Sequence, residues 1–85
     1  MLRVDARLAW QVLAGEAILV NLGSGRAIGL NETGTFIWER IQNQTEAELA
    51  DALVREFSID LDSARRDLTE FVGLLKSEGY LLETA

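Results

Sequence analysis

Apolar and polar positions alternate along the first third of the chain, which is typical of short strands with one buried face. The alternation predicts strands over residues 8–13, 17–22 and 26–30. Short segments separate them at residues 14–16 and 23–25, and both contain the glycine that tight hairpin turns favour. No helical pattern lies between these strands, so the sequence predicts an antiparallel meander.

The third predicted strand has one apolar face and one nearly bare face. Ile28 and Leu30 lie on the apolar face, whereas Ala27 and Gly29 lie on the other. A bare face lets another chain come close to the backbone. If this strand is at the sheet edge, its free N–H and C=O groups form a template for an added strand. The alternative is that a helix, the chain itself or a second copy fills this space.

Two helices follow the strands. Asn31 is a suitable N-cap for a helix over residues 32–41. Thr45 and Glu48 then form a capping box, in which each side chain is positioned to bond the backbone N–H of the other residue. The spacing of apolar residues predicts that this second helix continues to residue 57.

A third, longer helix is predicted over residues 63–78, with Asp62 as its N-cap and Gly79 as its stop. Its residues divide into three stripes at helical spacing. They are a core stripe of Ala64, Leu68, Phe71 and Leu75, a mildly basic flank of Arg65, Thr69, exposed Val72 and Lys76, and an opposite flank of Asp67, Leu74 and Glu78.

These elements predict the α+β class, as a three-stranded antiparallel β-meander followed by three α-helices. The length of 85 residues predicts a single domain over residues 1–85. Residues 1–6 are expected to be a short leader into the fold. Residues 80–82 are expected to pack back onto it, and residues 83–85 to form a loose tail.

The composition argues against several functions. The chain has no Cys and no His, which removes thiol and imidazole catalysis and Cys/His metal sites. No catalytic residue, metal site or cofactor is therefore expected, and the chain is not expected to be an enzyme. A net charge of −6 disfavours nucleic acid as a partner. No apolar run is long enough for a membrane span, so a cytoplasmic protein is expected.

The ordered motifs resemble the PqqD family, named for pyrroloquinoline quinone biosynthesis. They are VNLGSGRAIGLNETGTFIWE over residues 20–39, T-x-x-E-L from Thr45, and D-L-x-x-F-x-x-x-L-x-x-x-G-Y-L from Asp67. The resemblance covers about residues 8–82. This domain type is also known as the RiPP recognition element, where RiPPs are ribosomally made, post-translationally modified peptides.

The resemblance implies a winged-helix-like domain that acts as an adaptor without catalysis and captures the leader of a precursor peptide. In the family the leader adds as a strand beside the third strand, in a cleft against the third helix. The adaptor presents it to a maturation enzyme, which is a radical S-adenosylmethionine enzyme or a peptidase acting with a cyclase. Carried over to this chain, the implied peptide-binding residues are Arg26, Ala27, Ile28, Gly29 and Leu30 on the strand, and Arg65, Thr69, Val72 and Lys76 on the helix, with Leu68 beneath. Arg65 and Lys76 would suit an acidic leader.

Two other functions fit the same order of elements. One is a winged-helix DNA-binding regulator, which the acidic charge disfavours. The other is a dimerisation module of a larger enzyme complex, in which the open edge pairs in a homodimer. The region before residue 8 matches the pyrroloquinoline quinone members poorly, which favours a stand-alone recognition domain of another peptide pathway.

Overall fold

Two small antiparallel sheets and three helices build the fold, which the computed structural model describes over residues 2–4 and 7–83. The larger sheet has the strand order β2-β3-β4, and the smaller sheet pairs β1 with β5. The predicted α+β class, a three-stranded antiparallel meander followed by three helices, is confirmed. In chain order the elements are β1 (Leu2–Val4), β2 (Leu8–Leu13), β3 (Glu16–Asn21), β4 (Ala27–Gly29), α1 (Glu32–Arg40), α2 (Glu46–Phe57), α3 (Leu61–Ser77) and β5 (Leu81–Glu83).

Both hairpins of the meander have turns that require a positive φ. The β2–β3 turn consists of Ala14 and Gly15, with φ of 51° and 80°, as a tight type I′ turn needs. The β3–β4 turn ends at Gly25, with φ of 76°. The Asn21 side chain closes the beginning of this connection, since its Oδ1 accepts a hydrogen bond from the N–H of Gly23 at 2.9 Å. These two short connections make β3 the neighbour of both β2 and β4.

The first two helices begin at the predicted caps. Asn31 Oδ1 accepts a hydrogen bond from the N–H of Gly34 at 2.8 Å. Thr45 and Glu48 form the reciprocal capping box, and α2 ends at Phe57 as predicted. Hydrogen bonds from Thr45 hold the pKa of the Glu48 carboxyl below its usual value.

The third helix begins two residues earlier than predicted, so the prediction of Asp62 as its N-cap is wrong. The cap is Asp60, whose carboxylate accepts from the N–H and the hydroxyl of Ser63 at 3.2 and 2.7 Å. These bonds lower the pKa of Asp60. Asp62 lies instead in the first turn, where its negative charge interacts favourably with the positive end of the helix dipole. Gly79, with φ of 80°, follows the helix end as predicted.

The two ends of the chain pair with each other, which the sequence analysis did not predict. β1 and β5 run antiparallel, with Arg3 opposite Leu82. Part of the predicted leader is therefore a strand. Its partner β5 contains residues 81 and 82 of the segment predicted to pack back, and also Glu83, so the prediction that Glu83 lies in a loose tail is wrong. Strands of three residues are too short to show periodicity. The rest of the predicted leader and tail, at residues 1, 5, 6, 84 and 85, lies outside the described residues.

The core lies between one face of the larger sheet and the helices. Leu19, on the central strand, faces the same side as its cross-strand neighbours Trp10 and Ile28. The ring of Trp10 meets Trp38 of α1 edge-on, with 5.8 Å between centroids. The largest fully buried side chains are Leu19, Ile37, Ile41, Leu49, Leu53 and Leu75.

Replacing Gly73 with alanine is expected to stabilise the fold by about 1 kcal/mol, because glycine within a helix costs about that much relative to alanine. A Cβ at this exposed position meets nothing within 4 Å. The melting temperature should rise by about 4–8 °C, measured by circular dichroism. The control is Gly34→Ala in α1, whose new Cβ would lie 3.1 Å from the Phe71 ring. Equal gains in both variants would contradict this account.

Candidate functional site

One edge of the larger sheet is open along β4. On its inner side β4 pairs with β3, and no strand pairs with its outer side within residues 2–4 and 7–83. Two hydrogen bonds fix the direction of its backbone groups. The Arg26 carbonyl accepts from the N–H of Asn21 at 2.8 Å, and the N–H of Leu30 donates to the Ala17 carbonyl at 2.8 Å.

The alternation of an antiparallel ladder determines which groups at this edge are free. Arg26 and Leu30 direct their backbone groups toward β3, so Ile28 does the same and the residues between them point outward. Ala27 and Gly29 therefore present two N–H donors and two C=O acceptors to the outside. These are the two residues that form the bare face in the sequence.

Gly29 is not required by the fold itself. Its φ is not positive, and an added Cβ would meet nothing within 4 Å. Glycine within a strand nevertheless costs about 0.5–1 kcal/mol relative to alanine. The space that a side chain would occupy is open and lies beside the free backbone groups. Glycine at this position therefore leaves this part of the edge accessible.

A furrow runs beside this edge, between β4 and the start of α1 on one side and α3 on the other. It consists of two cavities of about 240 and 380 Å³ that share Leu74, and we call them together the furrow. Leu74 is 48% exposed although it is apolar. The smaller cavity is lined by Arg26, Ala27, Ile28, Leu74, Glu78 and Tyr80, and the larger by Asn31, Thr33, Gly34, Ile37, Asp67, Glu70, Phe71 and Leu74.

Both ends of the furrow are held by specific contacts. At the smaller cavity, the Tyr80 hydroxyl donates to the Arg26 carbonyl at 3.3 Å, and the Arg26 guanidinium contacts the Glu78 carboxylate at 3.0 Å. At the larger cavity, the missing side chain of Gly34 lets the Phe71 ring approach the first turn of α1. These contacts fix the distance between α3 and the sheet edge.

The structure brings only part of the predicted site together. Arg26, Ala27 and Ile28 line the furrow, and Gly29 continues the open edge. Leu30 is buried, and together with Gly29 it lines a further cavity of about 510 Å³ outside the furrow. The predicted helix residues lie elsewhere, since Arg65, Leu68 and Thr69 line a separate cavity of about 280 Å³ against Glu46, Ala47 and Ala50 of α2.

The remaining helix residues also differ from the prediction. Val72 is 4% exposed and belongs to the core, so its predicted exposure is wrong. Lys76 is exposed but does not line the furrow. The flank of α3 that faces the strand is the opposite one, with Asp67, Leu74 and Glu78. Helical spacing gives the order of the flanks but not the rotation of the helix, which its packing on α2 sets.

Two further lining residues were missed because the sequence assigns them other roles. Phe71 belongs to the predicted core stripe, and Tyr80 to the segment that packs back. One feature of the sequence does indicate this flank. Leu74 is an apolar residue between Asp67 and Glu78, on a flank that otherwise has the composition of a solvent-exposed surface.

The groups that line the furrow include apolar side chains, backbone groups and carboxylates. Within the described part of the chain, no three His, Cys, Asp or Glu side chains are grouped to hold a metal ion. No helix there has the length and apolar character to cross a membrane. The furrow combines an apolar floor, an unpaired strand edge and carboxylates on one wall.

Comparisons with known proteins identify the same architecture. The family model described as "Coenzyme PQQ synthesis protein D (PqqD)" matches residues 16–81. The structure of TbiB1 in complex with the TbiA(beta) leader peptide is 26% identical, covers 98% of both chains and has a TM-score of 0.90. Lasso peptide synthetase B1 complexed with the leader peptide is 25% identical, covers 96% of this chain and 98% of that one, and has a TM-score of 0.89. No curated protein matches significantly.

Proposed function

This chain belongs to the PqqD family, and from that premise we propose that it is a peptide-binding adaptor without catalytic activity of its own. It captures the leader of a ribosomally made precursor peptide and presents it to a maturation enzyme. The two solved structures that it resembles are both leader-peptide complexes, which supports this role. The absence of Cys and His from the sequence supports a binding role over a catalytic one.

The observation that carries the proposal is the unpaired edge of β4 beside the furrow. An extended peptide that adds to this edge gains backbone hydrogen bonds with Ala27 and Gly29. Strand addition gives affinity for any extended segment, and selectivity then comes from the side chains that the neighbouring surfaces accept. The edge and the furrow are adjacent, so one guest strand can use both.

A guest strand in this position has two sets of side chains. Because side chains alternate across a strand, one set faces the furrow, with Ile28 and Leu74, and the other faces the outer side of the sheet. On that outer side Ile18, the cross-strand neighbour of Gly29, is 39% exposed, and Val20, the neighbour of Ala27, is half-buried. Apolar guest side chains at both faces would remove water from these surfaces.

The contacts in this proposal differ in part from those that the family resemblance implies. On the strand they are Arg26, Ala27, Ile28 and Gly29, whereas Leu30 is buried. On α3 they are Leu74 and its neighbours along the furrow. Because the cavity lined by Arg65 and Thr69 faces α2, those two residues have no role in this proposal.

Replacing Leu74 with glutamine tests the furrow. Covering the exposed half of this side chain contributes about 1 kcal/mol, so the dissociation constant should rise about fivefold. The probe is a fluorescently labelled leader peptide of a ribosomally made precursor, and the measurement is anisotropy.

The matched control is Leu61→Gln, at the start of α3 and away from the furrow. Leu61 is 37% exposed, so the two variants make the same chemical change on similarly exposed sites of one helix. We expect Leu61→Gln to bind like the wild type. Equal losses in both variants would place the peptide elsewhere and contradict the proposed site.

A further inference from the structure

The two ends of the furrow differ in charge. At the smaller cavity the Glu78 carboxylate is compensated by Arg26 at 3.0 Å. At the larger cavity Asp67 and Glu70 lie on one wall, three residues apart and therefore on the same face of α3. Both are exposed, and neither carboxylate has an ion pair or hydrogen bond within the described part of the chain.

The facing wall does not neutralise these carboxylates. It consists of the start of α1, where Asn31, Thr33 and Gly34 carry no charge. The N-terminal end of a helix contributes about half a positive elementary charge, and one of its free N–H groups here is already bonded to Asn31. Two full negative charges outweigh this contribution, so the larger cavity is a negatively charged end of the furrow.

We infer that the furrow selects a guest peptide with a basic residue, Lys or Arg, over Asp67 and Glu70, and with an apolar residue over Leu74. This inference rests on the proposed function. Phe71 and Leu74 provide apolar surface along the wall, on which the methylene stem of a Lys or Arg can lie while its charged end reaches the carboxylates. In the smaller cavity Arg26 already pairs with Glu78, so this cavity adds no charge preference.

The sign of this preference is opposite to the one that the sequence implies. The family resemblance assigns the helix contacts to Arg65 and Lys76 and therefore favours an acidic leader. Arg65 lines the cavity against α2, and the furrow wall carries carboxylates in place of these cations. The rotation of α3 thus reverses the charge that a guest meets.

Peptide selection tests the inference without a known precursor. A phage-displayed library of random 15-residue peptides is panned against the wild type, against Asp67→Lys/Glu70→Lys, and against Asp51→Lys/Glu56→Lys. The last variant makes the same change in net charge at exposed positions of α2, outside the furrow. We expect the wild type and the α2 variant to enrich Lys or Arg at a fixed distance from an apolar residue. The furrow variant should enrich Asp or Glu there.

A salt titration covers the case in which the double variant fails to fold. The best wild-type peptide is measured by anisotropy against the wild type and against Asp67→Asn/Glu70→Gln, which keeps the side-chain shapes. Losing two exposed ion pairs should weaken binding about threefold to tenfold at low salt, and the difference should shrink as salt is raised.

The possible outcomes separate the inference from the proposed function. Enriched peptides without a charge preference, or with the same preference in the furrow variant, overturn the inference and leave the adaptor role intact. If none of the three proteins enriches any peptide, the adaptor role fails and the inference fails with it.

Discussion

Replacing Gly29 with proline is expected to raise the dissociation constant of a leader peptide about thirtyfold or more, while the sheet stays folded. The N–H of Gly29 points away from β3, so proline removes no hydrogen bond within the protein. Proline is tolerated on an edge strand in this orientation. A guest carbonyl then loses its donor, and an unpaired buried acceptor costs about 1–3 kcal/mol. The proline ring also fills space that the guest backbone needs.

Gly29→Ala separates the lost donor from the added volume. Alanine keeps the N–H and meets nothing within 4 Å, so binding should stay within about threefold of the wild type. Peptide affinity is measured by anisotropy, and amide spectra show whether each variant is folded. Wild-type affinity in a folded Gly29→Pro variant would contradict strand addition. An equal loss in Gly29→Ala would assign the effect to volume instead of hydrogen bonding.

Replacing Leu19 with alanine is expected to destabilise the fold by about 3–4 kcal/mol, the usual range for emptying a leucine site in a core. Leu19 is fully buried on the central strand, between Trp10 and Ile28. A chain of this length has a total stability of about 4–13 kcal/mol, so the loss is a large part of it. Urea denaturation at constant slope measures the change.

The matched control for Leu19→Ala is Leu22→Ala, just beyond the end of the same strand. Leu22 is 67% exposed, so the same truncation leaves no cavity and should cost less than about 0.5 kcal/mol. A larger loss at Leu22 than at Leu19 would mean that the larger sheet packs on the helices by its other face. Ile28 lines the furrow and is the cross-strand neighbour of Leu19, so that result would also mean that the furrow lies elsewhere.

The sequence predicts those parts of the fold that depend on residues close together in the chain. The caps at Asn31 and Thr45 involve partners three residues away, and the turn at Ala14 and Gly15 involves two residues. The α3 cap was misplaced because Asp60 and Asp62 are both suitable by type. The Ser63 hydroxyl favours Asp60, since it adds a second hydrogen bond to the carboxylate.

The strand residues beside the furrow are the predicted ones, whereas the α3 residues that line it differ from the predicted ones, for a physical reason. The bare residues Ala27 and Gly29 can be identified from alternation alone, and the ladder then turns their backbone groups outward. Which flank of α3 faces the sheet edge depends on how Leu68 and Val72 pack in the core, against residues that are distant in the sequence. An apolar residue on each flank, Val72 on one and Leu74 on the other, leaves the choice open until that packing is known.

The pairing of the first strand with the last has a consequence for when the site becomes complete. Leu2 lies opposite Glu83, so this contact closes a loop of about 80 residues, at an entropic cost of about 4 kcal/mol in a flexible chain. It is therefore expected to form late in folding, after the helices have brought the chain ends together. β5 directly follows Tyr80, the residue that binds the Arg26 carbonyl at one end of the furrow. A partly folded chain would then lack a finished furrow, and only molecules that have completed folding would compete for a guest.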